Sequence, residues 1–208
     1  MNNIRNKLLI ATANKGKISE FKHVFSDIQE KAIFLDDLPK VIEPEENGKT
    51  YKENALIKAH YYSKKFNMPV VTDDSGMEID DLDGKPGIYS SRFLKQVNPN
   101  GGFDGLRDLL IAKAPHKKEF PAEFICCIVY KNGDFTKSFT STKKGFLIFP
   151  PRGNSKTAFG YDPIFKFKDF EITMAEMSQS EKLAHSPRAS AGKSLLQFLN
   201  QRELFSHN

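Results

Sequence analysis

The stretch Lys7-Leu8-Leu9-Ile10-Ala11-Thr12-Ala13-Asn14-Lys15-Gly16-Lys17-Ile18-Ser19-Glu20-Phe21 decides the class of fold. Residues 7 to 13 read as a buried strand, closed by a turn of lysine and glycine. Ile18, Phe21 and Phe25 then recur at helical spacing, so the opening unit is strand, turn, helix.

Working outward, Thr50 followed by Glu53 has the form of a capping box, and Tyr51, Ala55, Ala59, Tyr62 and Phe66 repeat every three to four residues. That pattern predicts a helix over 51–66. Pro69 closes it. Val70-Val71-Thr72 then reads as a short strand ending on the polar turn Asp73-Asp74-Ser75-Gly76, the end of a strand at which α/β sheets bind ligands. Residues 81–101 hold Asp-Leu-Asp-Gly, Lys-Pro-Gly and Asn-Pro-Asn-Gly-Gly, a turn-rich loop of the kind that forms lids, ahead of a helix over 104–114. Phe120 to Tyr130 and Phe135 to Thr142, joined through Asn132-Gly133, predict an antiparallel hairpin and hence a mixed sheet. Ser178 with Glu181 starts one helix and Ser186-Pro187 a second, which should end near Phe205.

A chain of 208 residues with 39% hydrophobic and 27% charged residues is an ordinary globular protein, and no repeat or linker divides it, so residues 1–208 read as one domain. The net charge of +5 favours an anionic partner. That partner could be nucleic acid, a phosphate-rich small molecule or nothing specific, and because basic residues alternate with acidic ones along most of the chain the nucleic-acid reading is lowered. Cys126 and Cys127 are adjacent, so their side chains leave opposite faces of an extended chain and do not pair. Leu8 to Ala11 is too short for a signal segment or a membrane span, and a cytoplasmic protein with no membrane partner is expected.

Four constellations could carry chemistry. Thr12-Ala13-Asn14-Lys15-Gly16-Lys17, between strand and helix, offers amides at a helix N-terminus with hydroxyl, carboxamide and ammonium donors, a pocket for phosphate oxygens. It lacks the spacing of a Walker A loop, and taken alone it is equally a polar turn. Glu43, Glu45 and Glu46 precede the long helix, and Asp73 and Asp74 end the strand. Magnesium takes one or two protein carboxylates, completes its shell with water and bridges to phosphates, so two separated acidic points suit it. Adjacent aspartates on extended chain face opposite ways, so one reaches the metal and the other is left either to support the metal's ligands or to pair with a lysine. Glu43 and Glu45 read as solvated; Asp74, beside Ser75, reads as functional. Phe159-Gly160-Tyr161-Asp162-Pro163 could stack a base and read its edge, or could be a core Phe and a structural turn. Lys182 and Ser186-Pro187-Arg188 could donate to a purine 6-oxo group, which adenine lacks, or could be a charged surface turn.

Together these stretches resemble the inosine triphosphate pyrophosphatase family, also described as non-standard purine triphosphate pyrophosphatases. The resemblance runs nearly end to end, through residues 10–20, Glu46 with Thr50 and Glu53-Asn54-Ala55 leading to Lys58, Thr72 to Gly76, Pro86 to Arg92, and Phe159 to Phe165. It implies a two-lobed α/β fold with a long mixed central sheet flanked by helices, a cleft between the lobes, and a homodimer. It further implies that Thr12, Ala13, Asn14, Lys15, Gly16, Lys17 and Lys58 hold the triphosphate, with Ser75 beside them, and that Glu46 and Asp74 serve Mg2+. Asp74 would act on the attacking water and Lys17 would neutralise the leaving pyrophosphate. Phe159 would stack the purine, with Gly160, Tyr161, Asp162, Lys182 and Arg188 around its edge.

Two positions depart from that pattern. Pro187 stands where the family usually has histidine, with His185 one residue before the serine, and Ala158 stands where a glycine is common. Base preference is therefore less defined than the reaction, and a pyrophosphatase for another modified or standard nucleotide is the nearest alternative. A nucleotide-binding module without catalysis is the other. Carboxylates beside phosphates argue against it, because they repel phosphate unless a cation intervenes.

Overall fold

Leu8, Leu9 and Ile10 have no exposed surface, as a strand covered on both faces requires. In the structure, a computed structural model that describes residues 7–153 and 160–202, they form strand β1 (Leu8–Ile10), followed by helix α1 (Lys15–Val24) and strand β2 (Ala32–Phe34). Helix α2 (Tyr51–Phe66) leads to strand β3 (Val70–Ile79), then β4 (Pro86–Gly87) and helices α3 (Ser90–Val97) and α4 (Asp104–Lys113). The long strands β5 (Glu119–Asn132) and β6 (Phe135–Ile148) follow, then β7 (Phe165–Phe167) and helices α5 (Gln179–His185) and α6 (Pro187–Gln201).

The strand order is β2-β1-β3-β5-β6-β7, with β4 beside β3. β1 is parallel to both β2 and β3, whereas β3 pairs with β4 and β6 with β7 antiparallel, so the sheet is mixed and the class is α/β, as the sequence predicts. The chain divides into two compact units: residues up to 74, 126–141 and from 187 onward, and residues 75–125 with 142–186. In the first unit, Leu9, Ala11, Ala55, Ala59, Tyr62, Val70, Cys127 and Val129 pack as one core. Phe21, Val24 and Phe25 of the α1 segment and Leu195 and Leu199 of α6 are buried as well. In the second unit Met77, Ile79, Leu106, Leu110, Phe120, Leu147 and Phe165 form a separate core. No helix among the described residues is long and apolar enough to cross a membrane.

Helix α2 spans the residues its periodicity predicts, and Pro187 opens α6. Four expectations are corrected. Asp73-Asp74-Ser75-Gly76 is not a turn: β3 pairs with β1 at Val70 and Val71, runs on to pair with β4 at Met77 and Glu78, and has β5 as a further neighbour, so its place inside the sheet keeps the acidic middle extended. The turn-rich segment 81–101 contains β4 and the helix α3, whose Phe93, Leu94 and Val97 pack on the core of the second unit. Thr50 does cap α2 by accepting the Glu53 N–H, but the Glu53 carboxylate accepts from Lys49 N–H instead of closing the box on Thr50. Strand β5 lies close to its predicted span, but β6 runs on past Thr142 to Ile148. The expected end of the last helix, Phe205, lies outside the described residues; the helix is described to Gln201.

α6 lies against α1 at Gly192, where a Cβ would come within 2.7 Å of Val24 Cγ1. Gly192→Val should therefore lower stability by about 1–3 kcal/mol through overpacking, read as a drop in the urea midpoint. An unchanged midpoint would contradict a close α1–α6 contact.

Candidate active site

The turn after β1 is shaped by Asn14. As N-cap of α1 it accepts hydrogen bonds at Oδ1 from the N–H groups of Gly16 (3.0 Å) and Lys17 (3.2 Å), and its own N–H donates to Thr12 Oγ1 at 3.3 Å. Two amides expected to face phosphate are thus taken by the cap, a standard way to satisfy a helix end. Ala13 and Lys15 are exposed, and the Lys17 side chain is largely buried.

The Lys17 ammonium lies 2.9 Å from Asp73 Oδ2. Asp73 points to the α1 side of β3, where Arg188 Nε also reaches Oδ2 at 3.2 Å and the Cys126 thiol stands at 3.9 Å. Arg188 Nη1 in turn meets Glu20 Oε1 at 2.6 Å. Glu20, Asp73 and Arg188 are all buried, a placement that ionised groups tolerate only when paired. Burial by itself would push the Asp73 carboxyl up; the charges of Lys17, Arg188 and Lys58 outweigh it and hold the group well below the usual carboxylate range. Burial pushes the Cys126 thiol far up, so it remains a neutral donor.

Asp74, one residue on, points the opposite way, to α2. Asn54 Nδ2 donates to its Oδ2 at 3.1 Å, and the Lys58 ammonium lies 3.9 Å from Oδ1. Lys58 also meets Glu46 Oε1 at 2.5 Å, so one cation stands between the two carboxylates. On Asp74 burial is the largest influence and lifts the carboxyl above its ordinary value, against the pull of Lys58, Lys17 and Asn54. On Lys58 burial works to lower the ammonium, but Asp73, Asp74 and Glu46 prevail and raise it, keeping it cationic. Glu43 and Glu45 are exposed, in line with their solvated reading.

All of these groups belong to the first unit. The second unit holds Ser75, next along β3, and the other residues that the family resemblance puts around a base. Gly160 has φ 57°, a left-handed conformation natural to glycine. Tyr161 donates its hydroxyl to the Ser90 carbonyl at 3.1 Å, and burial pushes its phenol up. Asp162 is buried and accepts the Lys182 ammonium at 2.5 Å. Phe159 and Ala158 lie outside the described residues. His185 packs its ring on Phe167 and Phe170. Sequence reasoning grouped Arg188 with Lys182; the structure joins Arg188 to the Lys17–Asp73 pair and Lys182 to Asp162. The surface reading of Arg188 is overturned, for only 3% of it is exposed.

The profile of the Ham1 family matches residues 8–198 of this chain. The chain belongs to the Ham1 family. A protein of Oceanobacillus iheyensis named dITP/XTP pyrophosphatase is 38% identical over 198 residues, covering 93% of this chain and 98% of its own. A Bacillus subtilis protein of the same name is 37% identical, with 94% and 98% covered. The solved structure of the Staphylococcus aureus Ham1 protein superposes with a TM-score of 0.77 at 34% identity, covering 94% of this chain and 99% of that one.

Within this member of the Ham1 family, sequence reasoning gave no role to Glu20, Asn54 or Cys126. A signal existed for two of them. Glu20 lies three residues after Lys17, and Asn54 four before Lys58, spacings that put each on the same helix face as a chosen lysine. For Cys126 there was none, because its partner Asp73 is 53 residues away.

Removing Arg188 leaves two buried carboxylates short of a partner. Arg188→Met should cost about 3 kcal/mol in urea unfolding, and adding Glu20→Gln should cost less than the sum of the single changes. Strict additivity would show that the pair is not coupled.

Proposed function

We propose that this chain is a magnesium-dependent pyrophosphohydrolase that cleaves non-standard purine nucleoside triphosphates, ITP, dITP and XTP, to the monophosphate and pyrophosphate, and so removes them from the nucleotide pool. The observation that carries this reading is the convergence, within one unit, of Lys17 from the first turn of α1 and Lys58 from α2 on the adjacent Asp73 and Asp74 of β3. The substrate class follows the relatives named dITP/XTP pyrophosphatase.

The donor set suits Mg2+. Glu46 and Asp74 are hard oxygen donors that already share one cation, Lys58, and magnesium asks for only one or two carboxylates alongside water and phosphate. Among the described residues no larger cluster of metal-binding side chains gathers. Glu46 and Asp74 would hold the ion, which when bound neutralises phosphate charge and lowers the barrier to attack at phosphorus.

In this reading Lys15, Lys17 and Lys58 bind the triphosphate, with Thr12, Ala13, Asn14, Gly16 and Ser75 lining its path. Asp74 orients a water and takes its proton. Asp73 is occupied by Lys17 and Arg188, which leaves Asp74 as the carboxylate for that role. The water oxygen bonds to the α-phosphorus as the bond from that phosphorus to the bridging oxygen breaks, and the electron pair leaves with pyrophosphate. Lys17 and Lys58 neutralise that leaving group. Asp73 keeps Lys17 in place.

On the base side Phe159 stacks the purine and Gly160 and Tyr161 frame it, while Asp162 and Lys182 supply an acceptor and a donor side by side. Hypoxanthine presents a 6-oxo acceptor next to an N–H donor, which matches. Adenine presents the reverse and would leave buried groups unpaired. The working form is taken to be a cytoplasmic homodimer without a nucleic-acid or membrane partner, the dimer to be read from sedimentation.

A panel of inosine, xanthosine, guanosine, adenosine and pyrimidine triphosphates with pyrophosphate detection tests the reading. Inosine and xanthosine compounds should lead, and chelation of magnesium should stop turnover. Release of orthophosphate in place of pyrophosphate would defeat attack at the α-phosphorus. Asp74→Asn should keep nucleotide binding and lower kcat by about 10²–10⁴; full turnover in that variant would remove Asp74 from the mechanism.

A further inference from the structure

Asn54 has no exposed surface and no part in the binding roles given above. Its position is fixed by the backbone beside it, because the Ala55 carbonyl accepts a 2.7 Å hydrogen bond from Thr72 Oγ1, tying this turn of α2 to β3 two residues before Asp74. From that base the side chain makes two bonds. Oδ1 accepts from the Gly48 N–H at 2.8 Å, and Nδ2 donates to Asp74 Oδ2 at 3.1 Å. Gly48 stands two residues after Glu46. One planar amide therefore joins the strand that carries Asp74 to the loop that carries Glu46.

The direction of that amide is dictated by its partners. A backbone N–H can only donate, so it faces the carbonyl oxygen of Asn54, and the NH2 group is left for the carboxylate. Gly48 is equally constrained, for a Cβ there would come within 2.7 Å of Asn54 Oδ1 and of Glu53 Cβ. Residues 38–50 contain no helix or strand, so side-chain bonds such as this one set where Glu46 lies. Lys58 also stands near both carboxylates, but it is a cation and a divalent ion would repel it. The neutral amide carries no such repulsion.

We infer that Asn54 is a positioning residue for the acidic pair, its amide coupling the Glu46 loop to Asp74 so that both carboxylates are presented to one divalent cation. The inference rests on the pyrophosphohydrolase reading. Asn54→Leu keeps the volume and removes both bonds, whereas Gly48→Ala keeps Asn54 and displaces the loop. In both, the magnesium concentration for half-maximal pyrophosphate release should rise by about 10- to 100-fold, with KM for nucleotide at saturating magnesium moving less than about threefold. In metal-free, nucleotide-free protein, the Gly48 amide should exchange with deuterium faster in Asn54→Leu than in the parent.

A folded Asn54→Leu protein, checked by circular dichroism, with the parent's magnesium requirement or an unchanged Gly48 exchange rate would overturn the inference. If Asn54→Leu does not fold, an unaltered magnesium requirement in Gly48→Ala overturns it instead. Should the parent chain release no pyrophosphate from any triphosphate, the enzymatic reading falls, while faster Gly48 exchange in Asn54→Leu would still establish the coupling.

Discussion

Two adjacent aspartates on one extended strand face opposite ways, and the candidate site is organised around that alternation. Because successive side chains of a strand leave opposite faces, Asp73 is delivered to α1 and Asp74 to α2 without any turn or bulge. Both lie just past the point where β3 stops pairing with β1, the side of parallel strands on which α/β proteins place ligands. Each helix needs only to bring its own cation: Lys17 from the first turn of α1, Lys58 from the second turn of α2.

The two acids then differ through their surroundings alone. Asp73 is more deeply buried, but it is met by Lys17 and Arg188 at hydrogen-bonding distance and stays ionised as the fixed member of a buried charge network. Asp74 has the Asn54 amide at hydrogen-bonding distance and the Lys58 ammonium at 3.9 Å, and there burial prevails and the carboxyl binds protons more readily. One chemical group thus acquires two different proton affinities one residue apart, a division that environment sets and residue type does not. Glu20 adds to the Asp73 network by pairing with Arg188 from α1, which makes the middle of that helix and the start of α6 parts of one electrostatic unit.

Local signals made much of this legible. The strand-turn-helix opening, the full extent of α2 and the proline at the start of α6 follow from periodicity and capping, which depend on residues within a few positions of one another. The length of β3 did not follow. Asp-Asp-Ser-Gly has the composition of a turn, and what keeps it extended is its place in the sheet, with β1, β4 and β5 as neighbours of β3. Likewise α3 was hidden by the glycines and prolines on either side of it, although Phe93, Leu94 and Val97 give it an apolar face and its Ser90 hydroxyl is held between Met77 N–H and the Gly87 carbonyl. The cap of α1 is a subtler case. Asn14 is a familiar N-cap residue, yet its use of the Gly16 and Lys17 amides took away donors that the loop composition had seemed to offer phosphate.

By itself the sequence determined the α/β class, the mixed sheet, the family and the candidate lysines and carboxylates, because each is written in spacing or in short ordered motifs. Only the tertiary structure decided which charge meets which. Arg188 joins Asp73 across 115 positions and Glu20 across 168, and Asn54 links Asp74 to the Glu46 loop. The reason is physical: a buried charge must be neutralised by whatever the fold brings within a few ångströms, and that proximity is set by strand order and helix packing, which no local pattern of residues encodes.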